Sequence, residues 1–204
     1  MDTGIFSRNV PGTTARLQQC CVGIAGCGGL GSNVAVALTR AGVGRLILVD
    51  FDGVEESNLN RQHFYQDDIG RSKVSALSGH LIGINPQVDL IVHQERVTPD
   101  NVATFFGTAD LLVEAFDEAA SKHFLIEQWC RSFPDRFIVS GNGLGGYGMT
   151  DSVRVIEAGK IRFCGDATTP GTSGLCAARV GLVANMQANV AVELLLGPFQ
   201  GEAQ

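Results

Sequence analysis

The chain has 204 residues, 45% of them hydrophobic, with a formal net charge of −6 and a pI near 5.1. This length predicts one domain over residues 1–204 with a substantial buried core. The acidic balance and the lack of any lysine- and arginine-rich run argue against a nucleic-acid-binding surface. Because the N-terminus lacks a signal-peptide pattern and no apolar stretch is long enough to span a membrane, we expect a cytoplasmic protein.

The first strong pattern follows an irregular arm over residues 1–12 and a short helix, capped by Thr13 or Thr14, that runs to Gln19. An apolar strand beginning near Val22 leads into a turn whose glycines fit or extend a G-x-G-x-x-G spacing: Gly26, Gly28, Gly29 and Gly31. Glycines let the backbone approach a phosphate, and the helix predicted over Asn33–Ala41 would point its first N–H groups at anionic oxygens. The turn therefore predicts a nucleotide site, with a tight turn that binds nothing as the alternative.

An acidic residue lies at the position where a side chain that binds the ribose of a nucleotide is expected. The next predicted strand, Arg45–Val49, ends at Asp50, which is about 20 positions beyond the glycine turn and so is placed to hydrogen-bond a ribose. A helix cap or a surface acid is the alternative. The polar stretch over 51–62 lies just past this strand, where ligands bind in open α/β sheets.

The remaining elements alternate between strands and helices. Strands are predicted over Val88–His93, Leu111–Phe116 and Phe137–Ser140, and helices over Lys73–Leu81, Val102–Phe106 and Ala119–Phe133. This alternation predicts an α/β fold with a doubly wound, mainly parallel, Rossmann-like sheet. A glycine-rich segment over 141–148, a short antiparallel hairpin around Ala158-Gly159, a loop and a long C-terminal helix over Leu175–Leu196 complete the prediction.

Several motifs resemble the ThiF/MoeB/HesA family, whose members adenylate ubiquitin-like sulfur carriers and are related to ubiquitin-activating enzymes. The resemblance rests on Gly28–Ser32, Asp50–Asp52 and the specific run Ser-Asn-Leu-Asn-Arg-Gln at 57–62. It continues through Lys73 and Asp117 to the C-terminal helix and covers roughly residues 5–197. The short chain and the opening segment over 6–12 look most like the compact ThiF branch associated with thiamine biosynthesis.

The resemblance implies ATP and Mg²⁺ as cofactors. Adenylation brings a carboxylate onto the α-phosphate of a polyanion, so catalysis needs cations on the phosphates and exact positioning. By resemblance Asp50 would hold the ribose hydroxyls, Arg61 and Lys73 would grip the triphosphate, and Asn58 would bind the phosphates or the ribose. For Arg61 and Lys73 the alternative is a solvated charge, and for Asn58 a loop side chain that bonds its own turn.

The resemblance also assigns the metal and a residue from a partner subunit. Asp117 would bind Mg²⁺, with a cap on the helix that starts near Glu118 as the alternative, and Asp52 would support the site from the same turn as Asp50. Arg8 is similar to the family's N-terminal arginine, which reaches the γ-phosphate from the other subunit of a dimer. Arg16 competes for that role.

The chain departs from better-known family members in its cysteines. None of its six cysteines forms a C-x-x-C pair, so we predict no zinc, and most are expected to be buried free thiols. Some members use a cysteine to hold the carrier covalently. Here only Cys164 and Cys176 lie near the corresponding stretch, and a buried thiol is the simpler interpretation of Cys176, which opens an apolar helix.

The resemblance implies ATP-dependent adenylation of the C-terminal glycine of a ThiS-like sulfur carrier ending in Gly-Gly, within a homodimer. One alternative is a relative that activates another carboxylate, such as a molybdopterin carrier, a peptide or a tRNA-linked amino acid. An NAD-dependent oxidoreductase would share the glycine turn and Asp50 but leave Asn58, Arg61 and Lys73 unexplained. A nucleotide-binding scaffold without activity is a third possibility, against which the intact Arg61, Lys73 and Asp117 count.

Overall fold

The computed structural model describes residues 4–199. Within that range seven strands form one sheet: β1 Cys21–Ala25, β2 Arg45–Val49, β3 Asp89–His93, β4 Leu111–Glu114, β5 Phe137–Gly141, β6 Arg154–Ala158 and β7 Ile161–Gly165. Their order is β3-β2-β1-β4-β5-β7-β6. All neighbours are parallel except the β6–β7 hairpin, which is antiparallel. The predicted α/β sheet with its antiparallel hairpin is confirmed.

Helices cover both faces of the sheet. Their bounds are α1 Thr13–Leu17, α2 Gly29–Ala41, α3 Lys73–Ile84, α4 Val102–Phe106, α5 Ala119–Ser132 and α6 Ala177–Leu196. Alternate side chains of a strand point to opposite faces of the sheet. In β2, Leu46 and Leu48 therefore lie in the core under α1, α2, α3 and α6. Ile47 and Val49 lie in the core under α4 and α5 on the other face. This is a doubly wound arrangement, and it leaves the strand ends free to carry a site.

The N-terminal segment differs from the prediction. Phe6 is buried in a 3₁₀ turn over Gly4–Phe6, so the part of the arm that is described is anchored, while residues 1–3 lie outside the described range. The predicted threonine cap of α1 is wrong, because the N-cap residue is Gly12, which has no side chain to cap the helix. Thr13 instead donates its hydroxyl to the carbonyl of Val10, at 2.7 Å.

The glycine turn is itself the start of α2, which begins at Gly29 rather than at Asn33. Gly26 has a φ of 91°, a left-handed conformation that favours glycine. A Cβ on Gly31 would collide with the carbonyl oxygen of Gly26. The turn therefore needs glycine at both positions to bring the first turn of α2 against the end of β1.

Among residues 4–199 no helix is long and apolar enough to cross a membrane.

Candidate functional site

A cleft of about 720 Å³ opens beyond the carboxyl ends of β1, β2, β4 and β5. Eight residues expected in the site line it: Gly26, Gly28, Gly29, Asp50, Asp52, Arg61, Lys73 and Asp117. They come from the turn after β1, the segment after β2, the first turn of α3 and the turn after β4. The parallel sheet therefore gathers at one edge side chains that are up to about 90 positions apart in the chain.

Asp50 is held rigidly at the end of β2. One carboxylate oxygen accepts the N–H of Cys27 at 2.6 Å and the other accepts the N–H of Asp52 at 2.8 Å. Burial raises the pKa of Asp50, and the two backbone hydrogen bonds and the charge of Lys73 offset part of that rise. Each oxygen keeps further acceptor capacity, so the fixed carboxylate can receive hydroxyl groups from a ligand in the cleft.

Two cations face the cleft, one from the segment after β2 and one from the start of α3. The Lys73 side chain is only 9% exposed, and its Nζ lies 2.9 Å from a carboxylate oxygen of Asp52. Arg61 donates from Nη1 to the carbonyl of Ser57 at 3.0 Å and to the side-chain oxygen of Asn60 at 2.7 Å. An ammonium has three donors and a guanidinium five, so both groups retain N–H bonds for anionic oxygens.

Asp117 is exposed on the turn between β4 and α5 and lines the cleft. The N-cap residue of α5 is Glu118, which forms no side-chain capping bond. Residues 4–199 contain no group of three histidine, cysteine, aspartate or glutamate side chains that could hold a metal. Mg²⁺ at a nucleotide is usually bound by one or two carboxylates together with phosphate oxygens, and a single exposed aspartate fits that donor set.

Three expected site residues lie outside the cleft lining: Gly31, Asn58 and Arg8. Gly31 lies in the first turn of α2 and packs against the carbonyl of Gly26. Asn58 is buried, and its side-chain oxygen accepts the N–H of Glu55 at 3.1 Å, which is the bond with its own turn that was the alternative interpretation. Arg8 is exposed on the N-terminal segment, and the competing Arg16 donates to the carbonyl of Leu196 at 2.6 Å.

Gln62 is a cleft residue that the sequence reasoning missed, although it ends the run at 57–62. It is buried, lines the cleft, and its side-chain oxygen has no hydrogen-bond partner among the described residues. Buried polar atoms are rarely left without partners. This acceptor beside the glycine turn therefore has capacity for a donor from another molecule.

A second missed feature is an ion pair beneath the cleft. Lys122 lines the cleft and donates from Nζ to both carboxylate oxygens of Glu114, at 3.1 and 2.9 Å, and to the carbonyl of Gly141 at 3.0 Å. Glu114 is fully buried and also accepts the hydroxyl of Ser140 and the N–H of Phe116. These bonds tie the end of β4 to the end of β5 and hold the turn that carries Asp117.

The cysteines differ partly from expectation. Cys164 is buried on β7, and burial raises the pKa of its thiol to about 12, so it is a poor nucleophile at neutral pH. Cys27 is buried inside the glycine turn. Cys176 was expected to be buried but is exposed at the N-cap of α6, where Ala177 and Ala178 in the first turn are exposed as well.

The model of the ThiF family matches residues 6–204. The chain belongs to this family. Its similarity to curated relatives includes 29% identity over 191 residues with the adenylyltransferase and sulfurtransferase MOCS3 of Aedes aegypti, covering 89% of the chain and 43% of the relative. It is 35% identical over 143 residues to the tRNA threonylcarbamoyladenosine dehydratase of Escherichia coli, covering 69% of the chain and 52% of that protein. The resemblance seen in the motifs is confirmed, and the chain spans about half or less of the length of these relatives.

Solved structures show the same fold. The E. coli dehydratase TcdA in complex with ATP superimposes with a TM-score of 0.83 at 23% identity, covering 95% of the chain and 92% of that structure. E. coli MccB with ATP gives a TM-score of 0.69 at 19% identity, covering 90% of the chain and 57% of the other. The ThiF-family chain therefore has the architecture that in both of these proteins was solved with ATP.

Proposed function

We propose that the chain is an ATP-dependent adenylyltransferase that activates a carboxylate, the C-terminal glycine of a ThiS-like, ubiquitin-like sulfur carrier protein ending in Gly-Gly. The observation that carries the proposal is the cleft itself. Its lining brings together a glycine turn, the fixed acid Asp50 at the end of β2, the cations Arg61 and Lys73, and the exposed acid Asp117. We place this reaction in cytoplasmic thiamine biosynthesis and assign it to a homodimer.

The cleft residues fit a nucleoside triphosphate. The fixed carboxylate of Asp50 would accept the ribose hydroxyls, and the orphaned side-chain oxygen of Gln62 would gain a donor from the nucleotide. The N–H groups at the start of α2 favour phosphate oxygens because they carry no intrahelical partner. Arg61 and Lys73 would then lie along the phosphates as the compensating positive charge.

The proposed reaction joins two anions, the carrier carboxylate and the triphosphate, so the positive charges of the cleft are central to it. A carrier carboxylate oxygen attacks the α-phosphorus, the bond from that phosphorus to the pyrophosphate oxygen breaks, and the products are an acyl-adenylate and pyrophosphate. Charge builds up on the transferred phosphoryl and on the leaving group, and preorganised cations stabilise it there. Arg61 and Lys73 supply that stabilisation. Asp117 would hold Mg²⁺, which when bound supplies further positive charge to the phosphate oxygens.

Relatives support this class of chemistry and leave the substrate open to test. The Aedes aegypti protein is named an adenylyltransferase, and the E. coli dehydratase has been solved with AMP as well as with ATP. A tRNA-linked substrate is disfavoured here because phosphate contacts with RNA require a basic surface, whereas this chain carries a net charge of −6. A protein or peptide carboxylate is therefore the better candidate.

Pyrophosphate–ATP isotope exchange with Mg²⁺ tests the proposal. We expect exchange that depends on a carrier ending in Gly-Gly and that disappears when the carrier's terminal carboxylate is amidated, because the amide has no oxygen anion to attack phosphorus. Arg61→Gln should abolish most of the exchange. Arg131→Gln removes an exposed arginine that, within residues 4–199, pairs with Glu127 alone, on the same helix α5; it is the matched control and should leave the exchange unchanged.

No exchange with any carrier tested, together with tight binding of NAD, would contradict the proposal and favour an oxidoreductase. Exchange supported only by a carboxylate on tRNA or on a small peptide would keep the adenylation chemistry and replace the carrier.

A further inference from the structure

A buried ion pair that the proposed mechanism does not use lies next to the cleft. An Nη2 atom of Arg179, on α6, lies 2.6 Å from a carboxylate oxygen of Asp166, and the two side chains are 1% and 3% exposed. Burying both charges carries a large desolvation cost, so such a pair is weak evidence of a purely stabilising role. The other hydrogen bonds of Asp166 and Arg179 show which loop segments the pair holds in place.

The pair joins to α6 two segments that each contribute residues to the cleft lining, 142–144 in one and 167–171 in the other. Asp166 accepts the N–H groups of Thr168 and Thr169, both at 2.8 Å. Arg179 donates to the carbonyls of Gly148 and Met149, at 2.7 and 3.2 Å. The segments 142–149 and 166–171, which we call the two-loop wall, are thereby fixed to each other and to the helix.

The two-loop wall contains strained backbone. Met149 and Ala167 have φ values of 48° and 61° and are the non-glycine residues with positive φ among residues 4–199. Such conformations persist where the surroundings over-determine them, and they concentrate at functional sites. Met149 is bonded directly to Arg179, and Ala167 follows Asp166, so the ion pair sits at both strained positions.

Asp166 remains ionised while it holds these contacts. Burial acts to raise its pKa, but hydrogen bonds from the side chain and N–H of Thr169 and the N–H of Thr168, with the charge of Arg179, leave that pKa well below the usual range. The pair is therefore intact across the pH range in which an enzyme assay is run.

The two-loop wall occupies the side of the cleft away from the proposed ribose site. Asp50 follows β2, whereas residue 142 follows β5, and β1 and β4 lie between these two strands in the sheet. A nucleotide seated on the ends of β1 and β2 leaves the β5 side to a second substrate. The wall's residues in the cleft lining carry no charge: Asn142, Gly143, Leu144, Ala167, Thr168, Thr169, Pro170 and Gly171.

We propose that Asp166 and Arg179 are positioning residues that hold the two-loop wall in the shape against which the uncharged, extended tail of the carboxylate substrate lies. The inference rests on the proposed function. It assigns the pair to the second substrate and not to ATP. It accounts for a buried charge pair with a large desolvation cost and for strained backbone at both ends of that pair, beside a wall whose cleft-lining residues are uncharged.

Kinetics of Asp166→Asn and Arg179→Met test the inference. We expect kcat/KM for the carrier to fall about 10- to 100-fold, as small misplacements of positioning groups cause, while the Kd for ATP, measured by equilibrium binding, changes less than about threefold. Arg162→Met, which breaks the Arg162–Glu157 pair on the hairpin outside the cleft, is the matched control and should leave both quantities unchanged.

Folding must be separated from positioning. Asp166→Asn with Arg179→Gln removes both charges and leaves a hydrogen-bonding amide at each position, so no unpaired charge stays buried and it is the variant to use if a single substitution does not fold. Its Tm is compared with that of the Arg162→Met control. A variant with a near-native Tm and a selective loss of carrier kcat/KM supports the inference.

Two outcomes overturn the inference alone: carrier kinetics that do not change in a folded variant, and equal losses for ATP and carrier. Wild-type exchange that never requires a carrier would instead contradict the proposed function. The assignment of the two-loop wall to the tail of the carboxylate substrate would then fall with it.

Discussion

Lys73 offers the sharpest test of the phosphate assignment. Its ammonium lies 2.9 Å from Asp52, and its side chain is nearly buried at the first position of α3. A unit charge about 4 Å from a phosphate oxygen contributes about 4 kcal/mol at an effective dielectric constant near 20. Asp52 cancels part of this, so Lys73→Met should slow carrier-dependent exchange at saturating ATP by about 100- to 1,000-fold.

The same variant should fold normally. Asp52 is about half exposed, and breaking a pair with a solvated partner costs about 1 kcal/mol or less. The assay is pyrophosphate exchange with Tm measured in parallel, and Lys160→Met is the control because Lys160 is exposed and outside the cleft. A folded Lys73→Met protein whose maximal rate stays within about threefold of wild type would refute the electrostatic reasoning.

Three further predictions concern the binding of Mg²⁺, the role of Arg8 across a dimer and the binding of the nucleobase. Asp117→Asn should raise the Mg²⁺ concentration for half-maximal exchange by about tenfold or more, since the carboxylate charge that binds the cation is lost; an unchanged Mg²⁺ titration would contradict the assignment. If Arg8 acts across a dimer, mixing inactive Arg8→Ala and Lys73→Ala proteins should restore up to about a quarter of wild-type exchange, and no restoration would place Arg8 elsewhere. Arg96 stacks 3.7 Å from the centre of the Phe51 ring at the cleft, so Arg96→Ala should weaken ATP binding several-fold because it removes a stacking surface for the nucleobase; an unchanged Kd for ATP would remove Arg96 from nucleobase binding.

The fold could be predicted from the sequence because its signals are local. Apolar runs followed by turn residues fixed most strand positions, and α4 was predicted over its observed range. The start of α2 was placed too late because glycine disfavours helices, whereas here the glycine turn supplies the first helical residues. The N-cap of α1 was assigned to a threonine when a left-handed glycine holds that position.

The site was predictable where its residues share a short motif or end a strand, as Asp50 and Arg61 do. Contacts that depend on tertiary packing left no such pattern. Lys122 meets Glu114 only because α5 folds back over β4 and β5, and Arg179 meets Asp166 only when α6 docks beside the loop after β7. Asn58 differs in the opposite way. It belongs to the motif at 57–62, but its side-chain oxygen accepts a hydrogen bond from Glu55 in the same turn and does not line the cleft.

The sheet order separates the two sides of the cleft along the chain as well as in space. The glycine turn, Asp50, Arg61 and Lys73 all lie within residues 26–73, whereas the two-loop wall lies within residues 142–171. A protein engineer could therefore exchange the segment between β5 and α6 as a cassette, keeping Asp166 and Arg179 as its anchor, and redirect acyl specificity while the nucleotide half stays untouched.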